Sequence, residues 1–193
     1  MTTALIVIDV QRAWDDPYWG NRNNPDCETN VKALLDRWVE VGGPIVLVRH
    51  DEPRDAGNPL AVGMPGNRFK PELDGVPADL VYGKNVHSAF HGEVDLHAWL
   101  TRRGIQDLVI CGIQTEKCVE TTTRVGGNLG YRIRVPLDAT MTFDKKALDG
   151  TIITADELAR VTGANLNRQF ASVVSTSDVL AGVGVPGRDG GGR

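Results

Sequence analysis

The run Ala4-Leu5-Ile6-Val7-Ile8 constrains the fold most, because nothing in it alternates. A strand with one face in water reads apolar and polar by turns. An unbroken apolar run marks a strand buried on both faces, as parallel α/β sheets require. Ile45-Val46-Leu47-Val48 and Leu108-Val109-Ile110-Cys111-Gly112-Ile113 read the same way. Between such runs the apolar spacing turns helical. Residues 28 to about 41 carry Val31, Leu34, Leu35, Trp38 and Val39 on one face and stop at Gly42-Gly43. Residues 95–103 carry Leu96, Trp99 and Leu100 and stop at Gly104. Thr154-Ala155-Asp156-Glu157 has capping-box spacing and opens a helix through Leu158, Val161 and Leu166. Shorter strands are predicted at 79–83, 131–137 and 170–175, with a last short helix at 177–181. Alternating strands and helices predict an α/β three-layer sandwich, Rossmann-like, around a six-stranded parallel sheet.

A chain of 193 residues suits one well-filled domain. The expectation is a single domain over residues 1–181 and a glycine-rich, disordered tail over 182–193. Gly182-Val183-Gly184-Val185-Pro186-Gly187 fits a dinucleotide-binding spacing on paper. It follows no strand and contains proline, so it is read as chance. A net charge of −4 with no basic cluster argues against nucleic acid as a partner, and no apolar run could span a membrane. Three widely spaced cysteines and no leader-like opening segment make a reduced, cytoplasmic protein the expectation. Cys27 and Cys111 have no nearby activating partners and are read as structural.

Cys118 stands apart. The strand ending at Ile113 passes through a short turn, Gln114 to Lys117, and Cys118 then opens a predicted helix. A thiol in a first helical turn sits where N–H groups and the helix dipole favour negative charge, so a lowered pKa is expected. In open parallel sheets, ligands bind beyond the carboxyl ends of the strands. Asp9 follows the first strand, Lys84 the third, and Cys118 the turn after the fourth, so a carboxylate, an ammonium and a thiol emerge on one edge. Together they suit acyl transfer at an amide. Lys84 stabilises a thiolate, Asp9 moves protons, and backbone N–H groups of Gln114 and Cys118 form an oxyanion hole. Taken singly, each residue is better explained as a turn residue, a surface charge or a packing residue, but that explanation is the weaker one for all three together at one sheet edge.

The segments Ala4-Leu5-Ile6-Val7-Ile8-Asp9-Val10-Gln11, Lys84-Asn85-Val86-His87-Ser88-Ala89-Phe90, Cys111-Gly112-Ile113-Gln114-Thr115-Glu116-Lys117-Cys118-Val119 and Gly130-Tyr131 through Asp138-Ala139 resemble the isochorismatase-like cysteine hydrolases. That superfamily includes nicotinamidases, N-carbamoylsarcosine amidase and related amidohydrolases. Phe90-His91-Gly92 and Gly127-Asn128-Leu129-Gly130 look most like the streptothricin hydrolase-like branch. The resemblance implies Asp9, Lys84 and Cys118 as the catalytic triad, and a cis peptide between Ile113 and Gln114. It implies a small-molecule substrate, no cofactor, and a homodimer or homotetramer. Nicotinamidases bind a metal through an Asp-x-His pair and further histidines after the second strand. Here that region reads Arg49-His50-Asp51-Glu52, so no metal site is expected. The reading is a metal-independent amidohydrolase acting on a C–N bond through a thioester. A vinyl-ether hydrolase, or a silent binding protein on the same scaffold, are the alternatives.

Gln11, Trp14, Trp19, His87, Phe90 and Val119 are expected to contact substrate, with Trp14 and Phe90 walling an apolar pocket around the thiol. His87 and His91 are four apart, but no third ligand of matching spacing accompanies them. Residues 51–78 show no period and are read as a functional lid or binding loop.

Overall fold

The elements in chain order are β1 (Thr3–Ile8), α1 (Cys27–Val41), β2 (Ile45–His50), β3 (Leu80–Lys84), α2 (Leu96–Arg102), β4 (Asp107–Ile113), α3 (Glu120–Asn128), β5 (Arg132–Pro136), β6 (Thr140–Met141), β7 (Lys145–Lys146), β8 (Ile152–Ile153), α4 (Ala155–Leu166), β9 (Ser172–Val174) and α5 (Thr176–Gly182). The computed structural model describes residues 2–182. The expected tail beyond Gly182, with its glycine pattern, lies outside the described residues. Six strands run parallel in the order β3-β2-β1-β4-β5-β9, and β6 adds a short seventh by pairing with the end of β4. β7 and β8 form a separate antiparallel pair. β6, β7 and β8 were not anticipated, since two residues are too few to show a period.

β1 lies at the centre, flanked by β2 and β4, and its residues from Ala4 to Ile8 are completely buried. Alternation sends Leu5 and Val7 to one face, beside Val31, Leu34, Leu35 and Trp38 of α1 and Val179 of α5. Ala4, Ile6 and Ile8 face the other side, against Leu96 and Leu100 of α2 and Ile133 of β5. Each fully buried aliphatic side chain contributes roughly 1.5–3 kcal/mol, so the double-sided burial of β1 anchors the fold. Local signals set the helix ends. Gly42, in the left-handed region at φ 65°, closes α1 by donating to the carbonyls of Trp38 and Val39. Asp95 caps α2 by accepting from the Ala98 N–H at 2.9 Å, and Thr154 caps α4 by accepting from the Glu157 N–H at 3.2 Å.

The two long loops at the carboxyl edge are fastened down. Lys70, in the loop between β2 and β3, is buried and pairs with Glu28 of α1 at 2.8 Å and with Asp15. Arg22, in the loop between β1 and α1, grips both oxygens of Glu28 at 2.8 Å. Asn67 donates to the carbonyls of His50 and Leu60 and to Asp51, at 3.0, 2.8 and 2.9 Å. The predicted lid therefore packs onto the end of β2 along its middle.

Candidate active site

Asp9 follows β1 directly and takes a left-handed backbone, φ 53°. Its N–H donates to the Val48 carbonyl at 2.8 Å, and its own carbonyl accepts from Gln11 N–H at 2.9 Å and from the Trp14 indole. Lys84 is the last residue of β3, two strands away. Strands lie about 4.8 Å apart, so only a long side chain crosses β2 to reach Asp9. The Lys84 ammonium donates to Asp9 Oδ2 at 2.6 Å and to His50 Nδ1 at 3.3 Å. His50 is opposite Lys84 in the β2–β3 register, which brings its ring to the same ammonium.

Cys118 arrives from β4 through a tightly specified turn. Gly112 has φ +122°, and a Cβ there would lie 2.0 Å from the Ile8 carbonyl oxygen, so only glycine lets β4 press against the end of β1. The Ile113–Gln114 peptide is cis. A π turn, Thr115–Val119, follows, closed by the Val119 N–H donating to the Gln114 carbonyl at 3.2 Å. Thr115 Oγ1 donates to Thr140 Oγ1 at 2.9 Å and ties the turn to β6. The helix therefore starts before Cys118, which sits inside the opening turn rather than at its first residue. The Cys118 sulfur, an Asp9 carboxylate oxygen and a His50 ring nitrogen all lie within 4.8 Å of one another. The structure thus brings Asp9, Lys84 and Cys118 together at one edge.

The electrostatics correct one expectation. Burial, then the Asp9 charge, push the Cys118 thiol well above its ordinary value, and Lys84 opposes without reversing them. The shift runs opposite to the lowered value expected of a first helical turn, because Cys118 is nearly buried. Burial also works against the Lys84 ammonium, but Asp9 and Cys118 outweigh it and raise the lysine above its usual value. Burial and Lys84 lower His50, leaving a neutral imidazole whose Nδ1 can accept from the ammonium. Asp9 Oδ1 is buried with no hydrogen-bond partner. It is the free acceptor of the cluster.

The residues expected to touch substrate separate into two groups. His87 reaches the Cys118 sulfur, with Nδ1 3.5 Å from Sγ. Gln11 spends its amide on the turn instead. It donates to the carbonyls of His50 and Asn67 at 2.9 and 2.8 Å, accepts from the His50 N–H at 2.8 Å, and is completely buried. Trp14 packs on Trp19 and Phe143, while Phe90 stacks on Tyr131 at 5.6 Å. They belong to the cores on opposite faces of the sheet, so they do not jointly wall a pocket. Trp19 donates to the Ala13 carbonyl at 2.7 Å and folds its loop onto itself. Val119 is fully buried core. His50 was missed as a site residue, although the strand-edge argument applied to β2 would have found it. Cys27 and Cys111 are free, completely buried thiols.

Among the described residues, Asp9, His50 and Cys118 form the group that could hold a metal ion. The Lys84 ammonium already occupies the position a cation would take, 2.6 Å from Asp9 and 3.3 Å from His50. A dication would meet that fixed positive charge at contact, so the donor set does not fit one. A groove of about 960 Å³ lies elsewhere on the carboxyl edge, over β5 and β9, between Asn24, Leu137, Arg160, Gly163 and Val174; no triad residue lines it. No helix of the described residues is long and apolar enough to cross a membrane.

Comparison with known proteins agrees with this architecture. The isochorismatase domain family matches residues 3–166. The isochorismatase family protein YrdC of Bacillus subtilis is 33% identical over 179 residues, covering 92% of this chain and 94% of its own. Streptothricin hydrolase of Streptomyces noursei is 31% identical over 153 residues, covering 76% of this chain and 57% of its own. The crystal structure of a hydrolase of the isochorismatase family from Chromobacterium violaceum superimposes with a TM-score of 0.88 at 37% identity, covering 93% of this chain and 92% of that one. The family match runs through every strand that delivers a residue to this edge, and on it the chain belongs to the isochorismatase family of hydrolases.

Proposed function

We propose that the protein is a metal-independent cysteine amidohydrolase that cleaves a C–N bond of a small molecule (an amide, carbamoyl or lactam) through a thioester on Cys118. The observation that carries this reading is the pairing of a buried thiol with a buried carboxylate whose second oxygen has no partner, beside a fixed ammonium. The thiol needs a base to take its proton, and an Asp9 carboxylate oxygen lies within 4.8 Å of the sulfur.

Asp9 accepts the thiol proton as Cys118 Sγ forms its bond to the substrate carbonyl carbon. The oxyanion that develops is assigned to the backbone N–H groups of Gln114 and Cys118. The C–N bond then breaks and the nitrogen departs with a proton. Water attacks the thioester while Asp9 takes its proton, and the C–S bond breaks as that proton returns to sulfur. Lys84 stays charged throughout and holds Asp9 in place. Streptothricin hydrolase, among the relatives, is a small-molecule hydrolase by name, which supports the substrate class.

The test is ammonia or amine release from a panel of small amides, ureas and lactams, with EDTA-treated wild type beside Cys118→Ala. Wild type is expected to turn over at least one class and to carry the acyl group on Cys118, seen by mass spectrometry of the quenched enzyme. Hydrolysis persisting in Cys118→Ala sinks the covalent mechanism.

A further inference from the structure

The Lys84 side chain has no exposure to solvent, so protein acceptors must take its ammonium hydrogens in place of water. An ammonium carries three of them. Asp9 Oδ2 accepts one at 2.6 Å and His50 Nδ1 a second at 3.3 Å. One donor is left, and the Cys118 sulfur lies within 4.8 Å of both an Asp9 oxygen and a His50 ring nitrogen. The pleat explains the placement. Val48 and Tyr82, two residues before His50 and Lys84 on their strands, belong to the core that also holds Cys118. Side chains alternate along a strand, so His50 and Lys84 point to the face that carries the sulfur.

His50 is itself firmly held. Gln11 donates to its carbonyl at 2.9 Å and accepts from its N–H at 2.8 Å. Its ring stacks on His87, with centroids 6.3 Å apart and planes 22° from parallel. We infer that His50 is a positioning residue of the site: by accepting the second hydrogen of Lys84, it keeps the ammonium off Asp9 Oδ1 and turns the last hydrogen toward Cys118. This role rests on the thioester reading, since only a reacting sulfur needs that hydrogen.

The physical reason is the cost of an unmet donor. A buried ammonium deprived of His50 turns to the nearest open acceptor. That acceptor is Asp9 Oδ1, which has no hydrogen-bond partner and shares a carboxylate with the oxygen Lys84 already holds. Asp9 would then have both oxygens taken, as Glu28 does, and nothing would remain to accept the thiol proton. With His50 in place, Oδ1 stays open. The hydrogen on the sulfur's side stabilises the charge that sulfur gains as its proton leaves. Accepting at Nδ1 requires a neutral imidazole with its proton on Nε2. Burial, Lys84 and His87 disfavour the His50 cation and outweigh Asp9 and Glu52, which favour it.

Two measurements test this role. In wild type, the ring nitrogens of His50 are observed by NMR near neutral pH, and a neutral ring protonated at Nε2 is expected. A proton on Nδ1 overturns the inference, with no variant needed. Alkylation of Cys118 by iodoacetamide is then followed by mass spectrometry at about pH 8 in wild type, His50→Leu and His50→Asn. His50→Leu has no acceptor and is expected to slow alkylation about 10-fold or more. His50→Asn, whose side-chain oxygen can stand near the place of Nδ1, is expected to recover most of that loss. A wild-type rate in His50→Leu, or equal slowing in both variants, overturns the inference. The thioester reading stands or falls separately, on amide turnover by Cys118→Ala.

Discussion

Two buried ammonium–carboxylate clusters lie at the same edge of this sheet, and they differ in one respect. In the first, Glu28 accepts from Lys70 and twice from Arg22, each at 2.8 Å, so both of its oxygens are satisfied. In the second, Asp9 accepts from Lys84 through Oδ2 while Oδ1 has no partner. The first cluster joins both long loops to α1 and has no acceptor left over. The second keeps an acceptor open beside a thiol. The contrast teaches that a buried ion pair becomes reactive through what is left unsatisfied, because an unpartnered buried oxygen gains most from the next proton offered to it.

The sharpest way to break the comparison is Asp9→Asn. It removes the open acceptor and is expected to reduce turnover of a panel substrate by about 10²–10⁴-fold, measured as kcat. Near-normal turnover would mean that Asp9 is as structural as Glu28. The mirror experiment is Glu28→Gln, which leaves two cations short of their counter-charge. It is expected to lower stability by about 3 kcal/mol in urea unfolding, with unchanged turnover per folded molecule. A large loss of turnover without loss of stability would erase the distinction between the clusters.

The smallest effect sharpens the contrast through pH. Burial alone would raise the Glu28 carboxyl, but Arg22 and Lys70 hold it down at about 2. An unfolded glutamate titrates near 4.3. Because the folded value is depressed, its stabilisation is fully present above about pH 4.5 and is lost as pH falls toward 2, amounting to about 3 kcal/mol. The stability gap between wild type and Glu28→Gln should therefore narrow over that window and nowhere above it. A gap that stays constant down to pH 2.5 would remove Glu28 as its source.

Strand interiors and strand ends were legible in the sequence because their signals are local. Ala4 to Ile8 carries its double burial in its own composition, and the residues that follow each strand must emerge at one edge of a parallel sheet. That logic placed Asp9, Lys84 and Cys118 together before any geometry was known. It also placed Gly42 and Thr154 at helix ends, since caps act within a few residues. His50 obeys the same rule, since it ends β2 at that edge opposite Lys84.

Tertiary structure decided what depends on distant neighbours. Gln11 reads as a substrate ligand from its position after Asp9, yet its amide is consumed by His50 and Asn67, which are 39 and 56 residues away. Trp14 and Phe90 each follow a site residue, but the sheet passes between the cores they join. The thiol follows the same rule. Its place in a helical turn is a local property and argues for a lowered pKa, whereas burial and the Asp9 charge are long-range and raise it. By itself the sequence determined the order of the strands' chemistry along the chain and the edge where it emerges. Only the folded packing decided which acceptors stay open, because a hydrogen bond is satisfied or left unmade by whatever the rest of the chain brings within 3 Å.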